Sequence, residues 1–156
     1  MVNVKTDCEG RIIKTKEIYL AGGMTGLNFE EQTEWRRHIS EKIHNSGSYY
    51  NCHYKDNVCN PVKYYNFEKP SHITEKEVVR FDLDKVRKSD LLIVNFNLPS
   101  SLGAMAEIAI AYEHRIPIIG LNEKDVELHP WQDYMVTRMF TDIDSLIEHV
   151  MLFYLT

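Results

Sequence analysis

Cysteine is scarce in this chain of 156 residues, with three copies, and proline and glycine are modest at five and seven. Three thiols, Cys8, Cys52 and Cys59, are odd in number and too few for a disulfide framework. Cys52, His53 and Cys59 lack the spacing of zinc ligands, so no metal is expected. No stretch approaches the roughly 18 consecutive apolar residues that a membrane helix needs, so no membrane role is expected. Residues Met1 to Lys16 are charged throughout and lack the apolar core of a signal peptide, which points to a cytoplasmic protein. An excess of basic charge is also missing: 18 Lys and Arg stand against 23 Asp and Glu, a net charge of −5. Nucleic-acid binding rests on many Lys and Arg contacts to phosphate, so no nucleic-acid partner is expected. The GxGxxG, Walker and GxSxG patterns are absent as well.

A hydrophobic share of 44% is present, enough for a packed core. The length suits one domain over residues 1–156. Short apolar runs alternate with segments of helical period. Glu17–Ala21 reads as a buried strand closed by Gly22 and Gly23. Asn28, with Glu31 three residues on, is the capping box of a helix whose stripe is Trp35, Ile39 and Ile43. Ser48–Ser71 is irregular and rich in Tyr, with one short strand and an ordered loop expected. Thr74 and Glu77 cap a helix running to about Lys88. Strands over Asp90–Phe96 and Ile116–Leu121 flank a helix that starts near Gly103 and ends near His114. A last helix follows Thr141, with Leu146, Ile147, Val150 and Phe153 on one side. Continuously apolar strands alternating with helices predict a doubly wound α/β domain with a mainly parallel sheet of five strands. In such sheets ligands bind at the carboxyl ends of the strands, at the switch point. The candidate loops are therefore Gly22–Gly26 and Asn97–Gly103.

Two carboxylates stand in unusual places. Asp82 projects within about 40° of Val86, inside the apolar stripe Val79, Leu83 and Val86. It is either a side chain at the helix edge that caps a neighbouring loop, or a buried carboxyl kept for chemistry. Glu107 points about 150° away from the stripe Met105, Ile108, Ala109 and Tyr112. That placement suits a solvated Glu, yet its neighbours Gly103, Ala104, Ile110 and Ala111 are small or apolar, as if a ligand approaches there. The segment Gly22-Gly23-Met24-Thr25-Gly26 is either a tight turn or a backbone wall for a ligand. Ser100 and Ser101 offer hydroxyls and helix amides to an anion, or simply cap the helix. Trp131 reads as core or as a subunit contact, and Tyr49, Tyr50, Tyr54, Tyr64 and Tyr65 as packing or as a surface that stacks on a base.

Ile18–Gly26, Asp82–Asp84 with Ser89–Val94, Ser100–Ala111 and Ile116–Gly120 together resemble the nucleoside 2-deoxyribosyltransferase family, which includes 2′-deoxynucleoside 5′-phosphate N-hydrolases. The resemblance covers most of residues 17–121. It implies a flavodoxin-like fold and cleavage of the N-glycosidic bond of a nucleoside or its 5′-monophosphate. It also implies Glu107 as the nucleophile at C1′, Asp82 as the acid/base carboxylate near the departing base and Tyr19 as the residue that orients the nucleophile. Gly22, Gly23, Met24, Ser100, Ser101 and Gly103 would line the substrate. Ser101 stands where transferases usually carry Asp and the phosphate N-hydrolases carry Ser, which favours a 5′-phosphate. Thr25, however, stands where those hydrolases have Arg, leaving backbone amides, Ser100, Ser101 or a more distant cation such as Arg36 to hold it. No cofactor is implied, and the family's shared sites imply at least a homodimer. Base exchange between nucleosides is the rival activity, and a nucleotide-binding sensor without turnover is the rival of another class.

Overall fold

The computed structural model describes residues 5–6, 9–10, 12–13, 16–46, 57–61 and 74–155. Five strands make one parallel sheet: β3 (Glu17–Gly22), β4 (Asn57–Cys59), β5 (Leu91–Asn95), β6 (Ile118–Leu121) and β7 (Arg138–Phe140). Their spatial order is β4-β3-β5-β6-β7. A separate antiparallel pair, β1 (Lys5–Thr6) with β2 (Ile12–Ile13), precedes them. The order reverses between β3 and β5, so the switch point lies at their carboxyl ends, where Gly22 pairs with Asn95. The doubly wound α/β architecture expected from the alternation is the one observed, in the flavodoxin-like strand order that the resemblance implies.

Helix α1 (Phe29–Ser46) begins at the capping box read from the sequence. The Asn28 amide donates to Glu31 Oε2, and the Glu31 amide to Asn28 Oδ1, both at 2.9 Å. Its residues Trp35, Ile39 and Ile43 are buried. They pack with α5 (Ile143–Phe153) against Ile18, Leu20, Leu91 and Ile93 on one face of the sheet. Alternate strand residues point to the other face. There Tyr19, Ala21, Leu92 and Val94 meet α2 (Glu75–Arg87) and α3 (Leu102–Glu113). The Thr74–Glu77 capping box is present at the start of α2.

Several expectations fail for a common reason: periodicity locates a face without saying what covers it. On α2, Val86 is buried but Val79 is 55% exposed. The buried face of α3 is Ala104, Ile108 and Ala111, not the stripe through Met105 and Tyr112. Phe153 is exposed rather than packed, and of the two readings of Trp131 its exposure removes the core one. The short helix α4 (Pro130–Met135) and the edge strand β7 had no clear local signal, since each is three to six residues long. Tyr49, Tyr50, Tyr54, Tyr64, Tyr65, Cys52 and His53 lie outside the described residues.

Candidate active site

A cavity of about 580 Å³ opens at the switch point, on the face covered by α2 and α3. Its lining gathers residues from the end of β3 (Gly22), the β3–α1 loop (Met24, Thr25), the β5–α3 loop (Ser100, Ser101), α2 (Asp82) and α3 (Gly103, Glu107). Gly23 is not among them. A Cβ there would lie 2.6 Å from Leu98 Cβ, so Gly23 is glycine for packing. A Cβ on Gly103 would meet nothing within 4 Å, so the absence of a side chain there serves the open space of the cavity.

Glu107 lies near the buried face of α3. Ala104 and Glu107 are three residues apart, which places them about 60° apart around the helix. The expectation that Glu107 points about 150° from the core followed from choosing the wrong stripe. Its Oε1 accepts a hydrogen bond from the Tyr19 hydroxyl at 2.7 Å. Strand alternation sends Tyr19 to this face, and the parallel pairing of β3 with β5 sets it opposite Leu92, beneath α3. Tyr19 is 1% exposed, so its hydroxyl needs a partner inside the protein, and this bond supplies one.

Charge in the site is finely poised. Burial pushes the Glu107 carboxyl up to about 7; the Tyr19 donor pulls down, the Asp82 carboxylate pushes further up, and the Arg36 guanidinium pulls down. Burial, with the charges of Glu107 and Asp82, drives the Tyr19 phenol far above its ordinary value. Tyr19 therefore remains a donor at every working pH. Asp82, half-buried on α2, lines the cavity beside Val78, Val79 and Leu83. Val79 and Leu83 of the stripe that made Asp82 look anomalous line the cavity, while Val86 enters the core, so a carboxylate beside the first two faces ligand space.

Ser101 is the N-cap of α3, its hydroxyl accepting from the Ala104 amide at 3.3 Å. It also lines the cavity, with Ser100 exposed beside it. The two readings of these serines therefore coexist. Thr25 is exposed at the rim. The distant cation, Arg36, is not available to a phosphate: it is 0% exposed and donates to the carbonyls of Leu20, Gln32 and Gly22. Its place was legible in part, since Gln32, Arg36, Ile39 and Ile43 share the buried stripe of α1. Gln32 itself pins the glycine loop, donating to the carbonyls of Met24 and Leu27. Gln132 of α4 likewise holds the β5–α3 loop through the Pro99 carbonyl at 2.6 Å. The stripe of α1 and the capping box of His129 with Gln132 place these glutamines locally, but neither pattern gives the loop carbonyl each one reaches. Among the described residues no group of three or more His, Cys, Asp or Glu side chains is arranged to hold a metal ion, and no helix is long and apolar enough to cross a membrane.

No family model and no curated protein matches the chain. Solved structures do. A conserved protein from Enterococcus faecalis V583 superposes with a TM-score of 0.70 at 16% identity, over 88% of this chain and 98% of that one. The 2-deoxyribosyltransferase of the psychrotolerant bacterium Bacillus psychrosaccharolyticus gives 0.66 at 16% identity, over 84% and 90%. The CMP N-glycosidase of Clostridium botulinum gives 0.55 at 15% identity, over 88% and 100%. At such identities the likeness speaks for the backbone: the chain has the flavodoxin-like α/β fold of a 2-deoxyribosyltransferase and a CMP N-glycosidase, the fold that its motifs resemble.

Proposed function

We propose that the chain is an enzyme that cleaves the N-glycosidic bond of a nucleoside or a nucleoside 5′-monophosphate. Glu107 attacks C1′ as a carboxylate, the bond from C1′ to the base nitrogen breaks, and Asp82 delivers a proton to the departing base. Water, deprotonated by Asp82, then attacks C1′ of the glycosyl ester and releases the sugar, freeing Glu107. Tyr19 holds the nucleophile in place. Gly22, Met24, Ser100, Ser101 and Gly103 form the wall against which the sugar end rests, with Ser101 and the first amides of α3 available to an anion.

The observation that carries this reading is the 2.7 Å bond from the Tyr19 hydroxyl to Glu107 in a cavity whose other wall bears Asp82. A poised carboxylate and a second carboxyl lining one cavity are what glycosidic cleavage needs. The neighbours of known activity act on nucleosides or nucleotides by their names, in keeping with that chemistry. Base exchange is the second reading, favoured by the better superposition of the transferase than of the N-glycosidase.

Free-base release from ribo- and deoxynucleosides and their 5′-monophosphates, with and without a second base, tests the proposal. Wild type should release base without an acceptor, and Glu107→Ala should lose at least about 10³-fold of that rate. Product formed only with an acceptor base would make the protein a transferase. Silence across the panel, with Glu107→Ala binding nucleotide as tightly as wild type, would leave a nucleotide-binding protein without turnover.

A further inference from the structure

Among the described residues, Arg36 is one of the largest side chains that are fully buried. A guanidinium in the interior costs several kcal/mol unless an anion and hydrogen bonds compensate it. Among the described residues no carboxylate lies within salt-bridge distance of it. Its contacts are three backbone carbonyls, Leu20 at 3.4 Å, Gly22 at 3.0 Å and Gln32, with the Trp35 ring 4.5 Å away. Two of those carbonyls belong to the end of β3, and Gly22 lines the cavity. The glycine itself makes room, since a Cβ on Gly22 would sit 2.8 Å from Trp35 Cζ2 and 3.3 Å from Arg36 Nη2. Helix α1 thus drives a cation under the cavity wall from the opposite face of the sheet.

We infer that Arg36 is a positioning residue of the site, which holds the backbone wall at Gly22 and places behind that wall a positive charge that favours the ionised form of Glu107. The groups that act on Glu107 come from every element packed around it. Tyr19 on β3 donates a hydrogen bond, Asp82 on α2 opposes ionisation, and Arg36 on α1 favours it. Cys59 on β4 acts at one remove, through its electrostatic contact with Tyr19. Arg36 is the one cation in that set. Burial lowers its own value to about 10, so it stays charged at neutral pH. The kinetic half of this inference rests on Glu107 being the nucleophile; the electrostatic half does not.

The test is a ¹³C NMR titration of the Glu107 carboxyl, assigned by the signal that Glu107→Gln removes, run alongside the pH dependence of base release. Arg36→Met should raise the Glu107 midpoint by about one pH unit and carry the acid limb of activity with it. Arg36→Lys, which keeps the charge, should titrate within about 0.3 unit of wild type. A folded Arg36→Met protein with an unshifted midpoint overturns the inference, as does a Lys variant shifted as far as the Met variant. If Arg36→Met does not fold, Arg36→Gln, which keeps hydrogen-bond donors and removes the charge, decides: an upward shift of about one pH unit supports the inference and a wild-type midpoint overturns it. A wild type that titrates as expected but releases no base removes the proposed function alone, so the two failures are distinguishable.

Discussion

A carboxyl held at about 7 in the folded chain, against roughly 4.3 in an unfolded one, binds its proton more tightly when folded and so links stability to pH. The stabilising contribution of the protonated group is complete below the unfolded value and is lost as pH rises through about 7. At pH 8 the ionised Glu107 therefore opposes folding, by on the order of 2 kcal/mol once the water that reaches the cavity is allowed for. Glu107→Gln keeps the shape and removes the charge. It should raise stability by about 2 kcal/mol in urea unfolding at pH 8, with little change at pH 4, while abolishing base release. A gain of equal size at both pH values would assign the effect to packing instead. The same residue shows why sequence reasoning alone left its role open. Small neighbours at Gly103 and Ala104 were visible, but the face of α3 that is buried was not, because Ile108 is flanked by apolar residues on both sides, Met105 and Ala109 on one and Ala104 and Ala111 on the other, and only the sheet chooses between them.

At the scale of elements, two glycines that look alike in sequence part company. Gly23 is enclosed by Leu98, whose Cβ cannot move without its backbone. Gly23→Ala should therefore cost about 1–3 kcal/mol of stability and displace the loop that carries Ser100 and Ser101. Gly103 sits in the first turn of α3 with open space beyond it. Gly103→Ala should stabilise the helix by about 0.5–1 kcal/mol. Its methyl group would enter the cavity, raising KM several-fold. Thermal unfolding and steady-state kinetics on the two variants check both statements, and a Gly103→Ala protein with unchanged KM would show that substrate does not reach this turn. The helix caps at Asn28 and Thr74 were legible because capping is local, a matter of residues three apart. The fate of the α2 stripe was not, since Val79 and Leu83 line a cavity whose other wall is α3, distant in sequence.

Across the whole molecule, the field at Glu107 is assembled from β3, α1, α2 and α3, and the pH profile should report their sum. For wild type, the acid limb of kcat/KM should have its midpoint near 7, the value for the free Glu107 carboxyl, and activity should fall again at higher pH as the proton for the departing base is lost. Asp82→Asn removes a like charge, so its residual activity, lower by about 10²–10⁴-fold, should have its acid limb moved down in pH. That direction is opposite to the shift expected for Arg36→Met. An unmoved limb would mean that a group other than Glu107 controls the profile.

The amino-acid order alone determined what depends on short spans. Strand and helix alternation, two capping boxes, the parallel character of the sheet and the loops at its switch point all follow from periods of 2 and 3.6 and from turn chemistry. Resemblance of motifs then singled out Tyr19, Asp82 and Glu107. Only the tertiary structure decided which faces are covered, and with that the site itself. Tyr19 reaches Glu107 because parallel pairing sets β3 beside β5 and under α3. Arg36 reaches Gly22 because α1 crosses the end of the same strand from behind. Contacts such as these join residues 14 to 88 positions apart, and no local pattern encodes which partner a buried polar group will find, since that choice is made when the helices close on the sheet.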